Sequence, residues 1–120
     1  MTGRCEVLLV DDDENGRFTL AALLEDAGYR VTEAASLTQA RSLLSVGSFD
    51  LAVLDVHLPD GLGPELIPEL QKASPPPGIA LLSGDDPTPT PGVHAYITKL
   101  GGVDELLASL EKARSRPSSA

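Results

Sequence analysis

The sequence predicts an α/β domain built on a doubly wound, five-stranded parallel sheet, and three observations carry that expectation. Short all-apolar runs recur along the chain: VLLV at 7–10, LAVL at 51–54 and IALL at 79–82. Runs of this length without polar alternation suit strands buried on both faces, as in a parallel sheet. Between them lie segments with apolar residues at helical spacing, so strands and helices alternate. Turn residues (Gly, Pro, Asp) close most of the runs. Such alternation builds right-handed βαβ units with helices on both faces, in the expected strand order 2-1-3-4-5.

In chain order, EVLLV at 6–10 is the first strand and runs into Asp11-Asp12-Asp13. Residues 14–27 are expected to be helical, with Phe18, Ala21 or Ala22, and Leu24 along one side, and Gly28 as the stop. YRVTEA at 29–34 alternates weakly and reads as a strand nearer an edge. Ser36 can cap a helix reaching Val46, with Leu37, Ala40, Leu43 and Leu44 at core spacing and Gly47 at its end. The central strand follows at 49–54, and Pro59-Asp60-Gly61 marks a turn. Gly63-Pro64 opens a third helix over 65–73, in which Pro68 imposes a kink or sets the start of the regular part. Pro75-Pro76-Pro77-Gly78 is a stiff connector. The fourth strand, 79–82, ends at Ser83, and the fifth, AYIT at 95–98, ends at Lys99. Val103, Leu106, Leu107 and Leu110 fall at i, i+3, i+4 and i+7 of a last helix, with Asp104 and Glu105 suiting its first turn. No internal repeat is visible; one domain is expected over 1–115, with 116–120 a disordered tail.

A chain of 120 residues can bury one real core, and 42% apolar with 22% charged residues is ordinary for a globular domain. No apolar run approaches the ~20 residues that span a bilayer, and the N-terminus lacks a signal-peptide layout, so no membrane partner is expected. A lone cysteine, Cys5, cannot form an internal disulfide, which fits a cytoplasmic setting. A net charge of −9 argues against a direct nucleic-acid surface, and two Phe with two Tyr provide no stacking platform for single strands.

The polar residues at the strand ends point to chemistry. In the expected order, strand one delivers Asp11 and Asp12, strand three Asp55, strand four Ser83 and strand five Lys99 to one sheet edge, and ligands bind at that edge in open α/β sheets. Three clustered carboxylates repel one another unless a cation neutralises them, and a hard divalent ion such as Mg2+ suits oxygen ligands. Lys99 and Ser83 then offer an ammonium and a hydroxyl to an anion held there, which together make a phosphoryl site. Taken singly, each residue has a plainer reading: Asp11–Glu14 as a solvated helix N-terminus, Asp55 as a cap, Ser83 and Lys99 as surface, Tyr96 as half-buried packing. Only the set, gathered on one edge, resists that reading.

Four pieces, VLLVDDD at 7–13, LAVLDVHLPDGLG at 51–63, LLSG at 81–84 and YITK at 96–99, occur in order on these strand ends. Through them the chain resembles the receiver domain of two-component response regulators, a flavodoxin-like fold, over nearly its whole length. The resemblance implies that Asp55 accepts a phosphoryl group from a sensor histidine kinase or histidine phosphotransfer protein. It implies Mg2+ held by Asp12 directly, by Asp11 mainly through water, by Asp55 and by the backbone carbonyl of His57. Lys99 would contact the phosphate, Ser83 would turn toward it, and Tyr96 would follow Ser83 inward, altering the docking of a downstream effector protein. Such a domain transfers phosphate to itself and slowly hydrolyses it, but is not an enzyme with a turnover substrate. Two other readings are a pseudo-receiver that docks proteins without phosphorylation and an aspartyl phosphatase. The latter usually carries a second acid where this chain has His57.

The chain departs from the family pattern twice. Ser83 and Lys99 are only 16 residues apart, and Pro87, Pro89 and Pro91 lie between them. Alternate prolines remove amide donors and disfavour the α region before each ring, so the fourth helix is expected to be shortened or absent. Lys99 is followed by Leu100 in place of the usual proline. A cis bond before Leu would cost about 2.5–4 kcal/mol, so a trans bond is expected.

Overall fold

The apolar runs all enter one sheet. A computed structural model describes residues 5–84, 89–99 and 101–114. It places β1 at Glu6–Val10, α1 at Glu14–Asp26, β2 at Arg30–Ala34, α2 at Leu37–Val46 and β3 at Leu51–Asp55. A 3-10 turn, Gly63–Leu66, leads into α3 at Ile67–Gln71; β4 is Gly78–Ser83, β5 Ala95–Thr98 and α4 Val103–Arg114. The five strands pair in parallel in the order β2-β1-β3-β4-β5. A minimal antiparallel ladder, His57 opposite Leu62 and Leu58 opposite Gly61, lies beyond β3.

Strand alternation divides the core into two layers. Val7, Leu9, Val53 and Ala80 face one side, where Leu24 of α1 and Leu106, Leu110 and Ala113 of α4 cover them. Leu8, Val10, Ala52 and Leu54 face the other, against Leu37 and Ala40 of α2 and Leu66, Ile67 and Leu70 around α3. Every residue of β3 is buried, as its unbroken apolar run demands. Truncating a side chain such as Leu54 to Ala would cost about 2–5 kcal/mol.

Local signals explain the helix ends. Ser36 Oγ accepts the amide of Gln39 at the start of α2. Asp13 does the same for Gly16 at the start of α1. Pro68 ends up in the first turn of α3, so the regular helix begins at Ile67 and no interior kink is needed. Two expected core positions differ. Phe18 is 70% exposed and Val103 45% exposed, while Leu43, Leu44 and Leu107 are half-buried. At 100° per residue, Phe18 lies roughly a third of a turn from the stripe of Leu20, Ala21 and Leu24 that meets the sheet.

Between β4 and β5, residues 89–94 contain no helical turn, as the alternate prolines predict; 85–88 lie outside the described residues. This strip packs on α3. Gly92 has φ +87°, and a Cβ there would meet Gln71 Nε2 at 2.6 Å and Ile67 Cγ2 at 2.8 Å. Val93 packs against the layer formed with α2 and α3. The described residues thus hold four α-helices. The expected trans bond between Lys99 and Leu100 and the expected tail at 116–120 also lie outside the described residues.

Candidate functional site

The carboxyl ends of β1, β3, β4 and β5 form a common edge because these strands are neighbours in the sheet. Asp11 is the first residue past β1 and Asp55 the last of β3. Both are buried, while the adjacent Asp12 is exposed. One carboxylate oxygen from each of Asp11, Asp12 and Asp55 lies within 4.8 Å of the others. Lys99, the residue after β5, reaches across β4 so that its Nζ is 3.0 Å from Asp55 Oδ2. Its amide also donates to the carbonyl of Ser83, the last residue of β4, at 2.8 Å. Asp11, Asp12, Asp55 and Lys99 are therefore brought together, with half-buried Ser83 at the neighbouring strand tip.

Backbone bonds hold these groups in place. The Asp11 amide donates to the carbonyl of Ala34 at 3.0 Å. Asp11 Oδ1 accepts the amide of Asp13 at 3.0 Å, and the Asp11 carbonyl accepts Arg17 Nη1 at 2.8 Å. Past Asp55, the amide of Val56 donates to Leu82 and the amide of Gly63 donates back to the carbonyl of Val56. Gly63 approaches the Asp55 backbone so closely that a Cβ on it would collide with the carbonyl oxygen of Asp55. His57, two residues on, has an exposed side chain.

The electrostatics follow from this packing. Burial, reinforced by a hydrogen bond to Asp55, pushes the Asp11 carboxyl above its usual range despite the Asp13 amide and Lys99 pulling the other way. Burial alone would lower the Lys99 ammonium. The hydrogen bond to Asp55 and the negative charges of Asp55, Asp11 and Asp12 outweigh it and raise the lysine. Three oxygen donors from a paired and a crowded set of acids fit a hard divalent cation such as Mg2+.

Tyr96 sits in β5, half-buried against the layer that holds α3. Its hydroxyl accepts the amide of Thr90 at 2.8 Å and lies 3.3 Å from the Thr90 carbonyl, to which it can donate. Beside the acidic edge, α1, β5 and the start of α4 enclose a cleft of about 460 Å³. Asp11 and Lys99 stand at one end and Leu20, Leu23, Val103 and Leu106 line the rest.

Three residues here were not singled out from sequence. Arg17 binds the Asp11 carbonyl and, through Nε, Glu33 Oε1 at 3.0 Å. It is the one basic residue between Asp11 and Asp26, a signal that was available. Asp60 reaches back to the start of α2, accepting the amides of Leu37 and Thr38 at 2.9 Å each and Thr38 Oγ1 at 2.8 Å. These bonds, led by the Leu37 amide, pull the Asp60 carboxyl down to about 2. Thr90 carries no sequence signal beyond its place among prolines.

Known proteins fall into line with this geometry. The family described as response regulator receiver domain matches residues 7–111. The KDP operon transcriptional regulatory protein KdpE of Escherichia coli is 35% identical over 117 residues, covering 93% of this chain and 52% of KdpE. The chain thus spans about half the length of that relative. A response regulator protein from Burkholderia pseudomallei, solved with a phosphorylated aspartic acid, calcium ion and citrate, superposes with a TM-score of 0.81. It is 31% identical, over 92% of this chain and 69% of that one. The response regulator TrrA from Thermotoga maritima, solved in complex with Mg2+ and BeF, gives a TM-score of 0.81 at 27% identity, over 91% of this chain and 98% of that one.

Proposed function

Because the chain belongs to the response regulator receiver domain family, we propose that it accepts a phosphoryl group on Asp55 and relays that event to a partner. The observation that carries this reading is the pairing of a buried Asp55 with Lys99 at 3.0 Å, inside a cluster of three acids. The ammonium is bonded to one oxygen of the Asp55 carboxylate, the group that serves as nucleophile. An oxygen of Asp55 attacks the phosphorus of a phosphohistidine on a sensor histidine kinase or histidine phosphotransfer protein. The N–P bond breaks, the imidazole leaves with its electron pair and takes up a proton, and an acyl phosphate remains on Asp55. Lys99 then moves its hydrogen bond from the carboxylate to a phosphoryl oxygen.

Asp11, Asp12 and Asp55, with the His57 carbonyl, are the residues that would hold Mg2+. Bound there, the ion neutralises the crowded carboxylates and the charge on the phosphoryl group. Ser83, at the tip of β4 beside Lys99, would offer its hydroxyl to the same group. Tyr96 lies two register positions back on β5, opposite Leu81, and is the route by which a turn of Ser83 would reach the strip at 89–94. The phosphodonor has a natural seat at the cleft between α1 and α4, where exposed Leu23 and Val103 share the lining with Asp11 and Lys99. A downstream effector protein would read the strip and α3. Among the described residues no helix is long and apolar enough to cross a membrane, and a cytoplasmic setting suits a kinase-linked receiver. The domain acts as an acceptor with slow self-hydrolysis rather than as a turnover enzyme.

Incubation with Mg2+ and acetyl phosphate tests the reading. The expected result is a mass gain of one phosphoryl group, abolished in Asp55→Asn. A gain that survives Asp55→Asn overturns Asp55 as the acceptor, and none in the wild type overturns the reading in favour of docking without phosphorylation.

A further inference from the structure

We infer that Arg17 is a positioning residue for the metal edge of the site, fixing Asp11 through its backbone; the inference rests on the phospho-acceptor reading above. Asp11 lies just beyond the last strand pairing of β1, where a chain end would otherwise swing. Its amide is held by Ala34 of β2, and its carbonyl by Arg17 Nη1 at 2.8 Å. The same guanidinium donates through Nε to Glu33 Oε1 at 3.0 Å, one residue before Ala34. One planar fork therefore ties α1 to both β1 and β2 at the point where the Asp11 carboxylate is aimed. The Arg17 side chain is only 17% exposed, so the contact is packed as well as bonded. A rigid fork with several fixed donors can bridge two acceptors in this way, whereas a lysine offers a single point charge.

Positioning and plain electrostatics predict opposite signs. A cation beside three acids repels an incoming Mg2+, so if charge were all that Arg17 contributed, removing it would tighten metal binding. If Arg17 orients Asp11, removing it loosens metal binding, as loss of outer contacts to ligand groups generally does, by about 10-fold.

Mg2+ titration by isothermal calorimetry on the full chain, with a melt in EDTA for each variant, decides between them. Arg17→Met is expected to bind Mg2+ about 10-fold more weakly, and Arg17→Lys, which keeps the charge, to show a smaller loss. Glu33→Gln should also weaken binding by releasing the fork, but since losing a nearby negative charge acts in the same direction, Arg17→Met is the deciding variant. Arg41→Met, which breaks an ion pair of similar length to Glu69 between α2 and α3, should leave affinity unchanged. Unchanged or tighter binding in Arg17→Met overturns the inference while leaving the acceptor reading intact. If Arg17→Met does not fold, unchanged affinity in both Arg17→Lys and Glu33→Gln overturns it equally. A wild type that takes up no Mg2+ fails the acceptor reading itself, and this inference falls with it.

Discussion

The Tyr96 hydroxyl is bonded to the backbone of Thr90 on both sides, accepting its amide at 2.8 Å and lying 3.3 Å from its carbonyl. A side chain in β5 thus does for the strip at 89–94 what an internal ladder does for a helix. Tyr96→Phe removes both bonds and keeps the ring. The expected outcome is a loss of about 0.5–1.5 kcal/mol in urea unfolding and faster hydrogen exchange at the Thr90 amide. Unchanged protection at Thr90 would show that the strip is held by packing on α3 instead.

Gly63 tests how rigidly Asp55 is seated. Its Cα faces the Asp55 carbonyl with no room for a methyl group, and the neighbour is backbone, which cannot rotate away. Gly63→Ala should force the loop or the end of β3 to move, costing about 1–3 kcal/mol as overpacking does. Phosphorylation by acetyl phosphate should fall more steeply than stability does, because Asp55 itself is displaced. Mass spectrometry paired with urea melts separates the two effects.

Asp60 gives a pH signature. Its carboxyl is drawn from 3.8 to about 2, first by the Leu37 amide and then by Thr38. A lowered pKa means the folded state favours the ionised form, so this stabilisation is fully present above about 3.8 and fades as pH falls through about 2. Asp60→Asn should therefore melt at a lower temperature than the wild type at pH 6. The gap should narrow as the melts are repeated toward pH 2. A gap independent of pH would mean that the two amide bonds matter only as neutral contacts.

Mg2+ should stabilise the fold. Burial raises the Asp11 carboxyl above its ordinary range, so a cation competes with a proton there and affinity rises with pH through that range. At a concentration of one hundred times Kd, a ligand specific to the folded state adds about 2.7 kcal/mol. Chelation with EDTA should lower Tm accordingly, and Asp12→Ala should blunt the shift. Equal melts with Mg2+ and EDTA would contradict the cluster's role.

The legible and illegible parts of this molecule separate by range. The central strands showed in sequence because burial on both faces leaves no polar residue in a run such as Leu51–Leu54. Asp55 and Lys99 could be paired in advance because strand order alone brings their strand tips together. Phe18 misled, because apolar spacing gives a stripe but not which edge of it faces the sheet. Asp60 and Arg17 were missed for a different reason. Asp60 caps a helix more than twenty residues upstream, and Arg17 binds a backbone carbonyl, which no side-chain pattern marks. The proline spacing at 87–91 announced a helix shortened or absent, and residues 89–94 hold no helical turn. It did not reveal that Tyr96 would take over the anchoring.

The strip at 89–94 changes what this edge of the molecule can say to others. A helix presents rows of side chains that a partner reads by ridge and groove. Here Pro89 and Pro91 present rings, and neither has an amide to lend to a neighbouring strand. A listener built for helical faces would find no grip, and one that extends a sheet would find gaps in its hydrogen bonding. A partner that docks on this strip would have to read an irregular contour in place of helical ridges.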